Sequence, residues 1–194
     1  RTAEFGGEHC PIAYRKDKYK LRAFDCFWLS DTPNVPGSRF KVQGSHPRIC
    51  NMVCLYDIEE KKSIRVYNTH LDNATSEARR DGLALLLEKT DEYNKVEKMP
   101  VFIMGDLNAY AMEDPITILR EGGMIDLHRA FHADSSYSYV YRGYLGYLDH
   151  ALCNSTLYPQ VTGMVAYHIN SDESDSYTYD KSNDQTMFRC SDHD

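Results

Sequence analysis

The 194 residues predict a single α/β domain in which strands outnumber helices. Three observations predict it. Short β-branched and apolar runs recur between turn signals, as half-buried strands require. Residues 75–93 carry Ala78, Leu83, Leu86, Leu87 and Thr90 at helical spacing, which makes a core-facing stripe. Hydrophobic residues at 42% and charged residues at 26% are ordinary for a globular chain of this size. Such a chain buries about 70% of its unfolded surface.

In chain order, residues 11–15 and 26–30 read as strands joined by a basic turn at Lys16-Asp17-Lys18. Residues 32–46, rich in proline, glycine and serine, read as a long surface loop. Residues 49–56 and 64–69 are β-branched strands, with Glu59-Glu60-Lys61-Lys62 as the solvated turn between them. The helix over 75–93 takes Ser76 as its cap and Glu77 in its first turn. Pro100 opens a strand over 101–104. Pro115 starts a short helix that Gly122-Gly123 stops at Glu121. A helix over 127–132 and strands over 137–141, 147–153 and 161–167 follow. Residues 171–185 are polar and acidic; Asp172, Glu173, Asp175 and Asp180 lack the glycine-hinged spacing of a calcium loop and read as solvated. One domain, 1–194, is predicted, without repeats or linker.

The net charge of −7 argues against an affinity for nucleic acid driven by bulk charge. It leaves a nuclease open, because a bound cation neutralises the field where substrate sits. Tyrosine is over-used, with 15 copies, which suits half-buried strands and polar cleft walls. The six cysteines lack zinc spacing and read as packed thiols, with one or two bridges left open. No stretch has the apolar length of a membrane span. The chain opens at Arg1 without a visible signal peptide and reads as a fragment or processed product.

Chemistry concentrates at strand ends. The run Val101-Phe102-Ile103-Met104-Gly105-Asp106-Leu107-Asn108 is a buried strand that ends in an acid and an amide two residues apart. Extended backbone points both the same way, so together they can align one water. Asn68-Thr69-His70, Leu148-Asp149-His150 and Ser191-Asp192-His193-Asp194 also place polar groups at the ends of apolar runs. A histidine oriented by a carboxylate stays protonated and can donate to a phosphate oxygen. Acids, amides and imidazoles gathered in this way suit metal-assisted phosphoester hydrolysis.

On these four motifs the chain resembles the endonuclease/exonuclease/phosphatase superfamily, whose nuclease members include pancreatic-type deoxyribonucleases and abasic-site endonucleases. The resemblance runs from Glu8 to Asp194. Residues 144–152 and 166–173 are similar to secreted bacterial nucleases. Residues 27–38 are instead like those of other bacterial members of the superfamily.

The resemblance implies a four-layer α/β/β/α sandwich that here lacks its first strands. It implies that Asp106 aligns or deprotonates the attacking water and that Asn108 orients it and helps bind substrate. His193, held by Asp149, would bind the scissile phosphate. His70, oriented by Glu8, would contact another phosphate oxygen or the leaving group. Arg48 would contact phosphate. Asp192 would bind Mg²⁺ or Mn²⁺, with Ca²⁺ as a further alternative. The implied activity is hydrolysis of phosphodiesters by a DNA or RNA nuclease. The alternatives are a phosphatase or phosphodiesterase of small or lipid phosphoesters, and a binding-only or catalytically incomplete piece. Nucleic acid is the expected partner of a monomer without protein partner or membrane span, in a secreted or periplasmic setting. The family's metal-binding glutamate, the asparagine before it and the strand after Ser-Asp-His have no counterpart here. The chain therefore reads as truncated at both ends, with weak metal binding and poor catalysis expected of the piece.

Three signals are discounted. His128 and His132 are four apart in the helix over 127–132, but Arg129 stands where a zinc-protease helix needs glutamate, so they read as a surface pair. Asn73-Ala74-Thr75 and Asn154-Ser155-Thr156 match short glycosylation patterns that arise by chance. Arg79-Arg80 read as a solvated face or an internal salt bridge.

Overall fold

Aromatic and β-branched residues at alternate positions let β2 (Ile49–Asp57) and β3 (Ser63–Thr69) pair as an antiparallel hairpin, with Cys50 opposite Thr69 and Leu55 opposite Ile64. A computed structural model describes residues 9–133, 135–173 and 190–194 of the chain. Around this hairpin, among the described residues, runs a six-stranded sheet in the order β1-β2-β3-β4-β8-β5. Its other strands are β1 (Tyr19–Trp28), β4 (Val101–Asp106), β5 (Met124–Asp126) and β8 (Asp149–Asn154). Only β3 and β4 pair in parallel. A parallel step needs a crossover, and α1 (Ser76–Val96) supplies it. α2 (Asp114–Glu121) follows β4, α3 (Leu127–His132) follows β5, and β6 (Tyr139–Tyr141) with β7 (Tyr144–Gly146) forms a separate two-stranded hairpin. The result is a mixed α/β fold, a six-stranded sheet flanked by helices.

The core lies under the helices. Met52, Tyr67, Val101, Ile103 and Leu152 on one sheet face meet Leu83 and Leu86 of α1 and Ile116 and Leu119 of α2. On the opposite face Val53, Leu55 and Val66 are covered by Ile12 and Tyr14 and flanked by Phe102 and Met104. No helix among the described residues is long and apolar enough to cross a membrane. Cys10, Cys50, Cys54 and Cys153 are buried.

The structure corrects several expected elements. Residues 11–15 are not a strand: Pro11 has no N–H for a ladder, and the carbonyls of Cys10 and Pro11 instead accept the side-chain amides of Asn51 (2.7 Å) and Asn68 (2.8 Å). β1 begins well before Cys26, its first half hidden in the sequence by Lys20 and Arg22, which suit a sheet edge. Residues 161–167 form no strand; Val165 and Tyr167 are exposed, and no ladder partner faces them among the described residues. β5, three residues long, escaped detection, and residues 147–153 divide into the end of a loop and β8. The loop over 32–46 is not wholly superficial, because Phe40 joins the main core. Residues 174–185 of the expected acidic loop lie outside the described residues.

At the head of α1 the N-cap is Thr75 rather than Ser76. Thr75 is held by the buried Asp72, whose carboxylate accepts the Thr75 N–H at 2.8 Å, the Ser45 N–H at 3.0 Å and the Ser45 hydroxyl. Burial acts to raise the Asp72 pKa, but the Ser45 and Thr75 hydrogen bonds outweigh it and hold the group below its ordinary 3.8. A depressed carboxyl pKa contributes stability that is present above 3.8 and lost as pH falls through the lower folded value. Asp72→Asn is therefore expected to be less stable near neutrality and to lose less stability on acidification. Urea unfolding at pH steps from about 6 to about 2 checks this; parallel slopes for the two proteins would refute it.

Candidate active site

The register of β4 on β8 sets Asp106 opposite Asp149, and the parallel pairing of β3 on β4 ends with His70 alongside. Three strands thus deliver their polar termini to one edge of the sheet. Gly105 makes the approach close enough. Its φ is +137°, and a Cβ there would lie 1.9 Å from the Thr69 carbonyl oxygen. Only glycine fits.

His70 Nε2 donates to Asp106 Oδ2 at 3.1 Å. The other Asp106 oxygen accepts the Asn108 backbone N–H at 2.8 Å. Asn108 sits in the left-handed region (φ +48°), which asparagine tolerates, and its Nδ2 donates to the Leu71 carbonyl at 3.1 Å. The amide plane is thereby fixed.

The closing segment brings the second histidine. His193 bridges to Tyr139 of β6, and its carbonyl accepts Asn170 Nδ2 at 2.7 Å. Asp194 accepts the backbone N–H groups of Asn170 and Ser171 and the His168 ring, which ties residues 168–171 to the segment. His193 Nδ1 donates to Asp149 Oδ2 at 2.8 Å and lies 3.9 Å from Asp106 Oδ2. Ser138 Oγ also donates to Asp149, at 2.7 Å.

Electrostatics follow from these contacts. Burial penalises the Asp106 carboxylate, yet the His70 hydrogen bond and the charges of His70 and His193 hold its pKa below 3.8. Burial pulls the His193 ring down, but its bond to Asp149 and that carboxylate's charge outweigh burial and raise its pKa above 6.5. Asp106 is thus held in its ionised form beside a His193 ring whose protonated form is favoured.

These groups line one cleft of about 520 Å³, with Arg48, Asn73, Tyr139, Ser191 and Asp192 on its walls. Of the residues expected from sequence, His70, Asp106, Asn108, Asp149, Asp192, His193 and Arg48 come together there. Glu8 lies outside the described residues. Arg48 is buried, its Nη2 3.4 Å from Ser45 Oγ. Asn73, Ser138 and Tyr139 were not anticipated; the recurring tyrosines before Leu148-Asp149-His150 were the one available signal. His128 is not a surface residue: it is buried, stacks on Tyr147 with ring centroids 4.4 Å apart, and burial lowers its pKa to about 4. His150 is also buried, its Nε2 donating to the Ala109 carbonyl at 2.8 Å.

One atom each of Asp106, Asp149 and His193 lie within 4.8 Å of one another, a spacing that could hold a metal ion. His193 Nδ1 is committed to Asp149, so the donors suited to a hard divalent cation are carboxylate oxygens. Asp106 and Asp149 supply them, and Asp192 lines the same cleft without joining that group.

The family model described as Endonuclease/Exonuclease/phosphatase family matches residues 12–193. No curated protein matches the chain. Among solved structures, a mannosyl-6-phosphatase of Bacteroides thetaiotaomicron is similar at TM-score 0.65 and 23% identity, over 74% of this chain and 55% of that one. An endonuclease/exonuclease/phosphatase of Bacteroides vulgatus is similar at TM-score 0.60 and 25% identity, over 73% and 57%. Danio rerio TDP2, complexed with a single-strand DNA product, is similar at TM-score 0.53 and 16% identity, over 73% and 56%. The chain spans little more than half the length of these structures.

Proposed function

We propose that this chain, which belongs to the endonuclease/exonuclease/phosphatase family, carries the chemical centre of a divalent-metal-dependent phosphoester hydrolase, and that its substrate is a nucleic acid phosphodiester. The observation that carries this reading is the convergence of the Asp106, Asp149 and His193 donor atoms within 4.8 Å, beside His70 and Asn108.

Asp106 takes the proton of a water that Asn108 orients. The water oxygen bonds to phosphorus, and the bond from phosphorus to the leaving oxygen breaks. With Nδ1 on Asp149, His193 has Nε2 left to donate to a phosphate oxygen as charge builds on it. His70 orients Asp106 through their 3.1 Å contact. Asp192, with Asp106 and Asp149, would hold Mg²⁺, or Mn²⁺ or Ca²⁺ in its place. When bound there, such an ion would supply Lewis-acid stabilisation of the phosphoryl group and the leaving oxyanion. A secreted or periplasmic setting belongs to the same proposal and rests on the resemblance of residues 144–152 and 166–173.

A second reading, a phosphatase of small phosphomonoesters, is favoured by the likeness to a mannosyl-6-phosphatase. The two are separated by incubating the full-length protein with Mg²⁺ and either supercoiled plasmid or a panel of sugar and nucleoside monophosphates. Nicking without appreciable phosphate release supports the nuclease. Rapid phosphate release with intact plasmid supports the phosphatase.

A further inference from the structure

The β6–β7 hairpin carries more exposed aromatic surface than its fold requires, and the surface is ordered. Tyr141 pairs with Tyr144 across the hairpin, so their side chains share one face. Tyr139, two residues before Tyr141, lies on that face too, opposite Gly146. A Cβ on Gly146 would meet the Tyr110 ring at 2.6 Å, so Tyr110 covers the backbone of the same face. Four tyrosines therefore occupy one side of a two-stranded ribbon. As residues, Tyr110, Tyr141 and Tyr144 remain 40%, 49% and 79% exposed.

This face runs into the cleft. The Tyr139 ring lies 4.6 Å from the His193 ring, and the Tyr141 ring stacks on Tyr139 at 6.3 Å with 14° between planes. His193, Tyr139 and Tyr141 make a ladder leading away from the phosphate-binding imidazole. At its far end the Arg142 guanidinium lies 5.2 Å from the Tyr141 ring centroid. Arg142 and Gly143 both have positive φ (+50° and +83°), the signature of a tight two-residue hairpin turn that holds the rings in place before any ligand arrives.

We propose that this tyrosine face is a stacking platform for the bases of single-stranded nucleic acid whose phosphate is seated at His193. The assignment rests on the hydrolytic reading of that site and specifies its substrate. Successive rings match successive bases, because every base has a π-face. Arg142 stands where the next phosphate of the strand would pass. A single sugar phosphate would engage the first ring and leave Tyr141, Tyr144 and Arg142 without a role.

The test reads binding rather than turnover. A short single-stranded oligodeoxynucleotide carrying 2-aminopurine is titrated with the full-length protein, beside the same oligonucleotide with abasic spacers. Stacking quenches 2-aminopurine, so the wild type is expected to quench it and to bind the abasic strand more weakly. Tyr141→Ala is expected to weaken binding of the base-bearing strand by about ten-fold and to leave the abasic strand unaffected. Tyr141→Phe, which keeps the ring and reports on folding, is expected to bind as the wild type does. Equal affinity for both strands, or wild-type binding by Tyr141→Ala, would overturn the platform. Mannose 6-phosphate bound in preference to either strand would overturn it in favour of a sugar phosphate. A protein that quenches yet hydrolyses no phosphoester would retain the platform and lose the hydrolytic reading.

Discussion

Asp106→Asn is expected to lower kcat/KM for an activated phosphodiester such as bis(4-nitrophenyl) phosphate by about 10³-fold, mostly in kcat. The substitution keeps an oxygen for the Asn108 N–H and keeps the size of the side chain, so the loop after β4 retains its shape. What disappears is the carboxylate proposed to accept the proton of water, together with its pairing to His70 at 3.1 Å. An asparagine cannot act as a base at neutral pH, and general-base catalysis contributes about 10²–10⁴ in rate. Initial rates in the presence of Mg²⁺, with a circular-dichroism melt to confirm folding, make the measurement. A loss of less than about ten-fold in a folded variant would show that Asp106 is not the base.

Gly105→Ala is expected to cost on the order of 4 kcal/mol of stability, an unusually large penalty for one methyl group. The added Cβ would stand 1.9 Å from the Thr69 carbonyl oxygen, and a backbone atom cannot swing aside as a long side chain can. The φ of +137° adds a second penalty, because a residue with a Cβ rarely adopts it. Relief requires β3 and β4 to part where His70 and Asp106 meet, so activity should fall with stability. Urea unfolding compares the variant with the wild type. A loss below about 1 kcal/mol would mean that the two strand ends do not approach as described.

Much of this site was legible because its residues follow apolar strands, and strand runs are read from side-chain pattern alone. Val101 to Met104 announces β4, and the acid and amide that follow are visible with it. The parts that stayed hidden depend on distance through space. Ser138 reaches Asp149 only once the segment leading into β6 meets the start of β8, and nothing in its own neighbourhood reveals that contact. The same holds for Asn73, which stands on the cleft wall because Asp72 beside it clamps Ser45 and Thr75.

Edge elements were the least legible part of the fold. Lys20 and Arg22 alternate with Leu21 and Ala23 in the exposed first half of β1, so the apolar run that marks a strand begins only near Cys26. Residues 11–15 carry strand-like residues, but Pro11 and the amides of Asn51 and Asn68 take them out of the ladder and across the sheet. His128 looked superficial because helical spacing alone does not say which face of α3 meets the protein; Tyr147 and Asp126 decide that. His150 next to Asp149 went unremarked as a buried anchor of Ala109, since only the fold brings residues 109 and 150 together.

The proposed hydrolysis requires His70, Asp106, Asn108, Asp149 and His193 to form a single phosphate-handling centre. Histidine-ring NMR of the full-length protein during titration with orthovanadate and Mg²⁺ tests it most directly. The prediction is a saturable shift of the His193 and His70 ring signals with one apparent affinity, no shift of buried His128 or His150, and loss of the response in Asp149→Asn. Vanadate that leaves His193 and His70 unmoved while it binds elsewhere would contradict the claim.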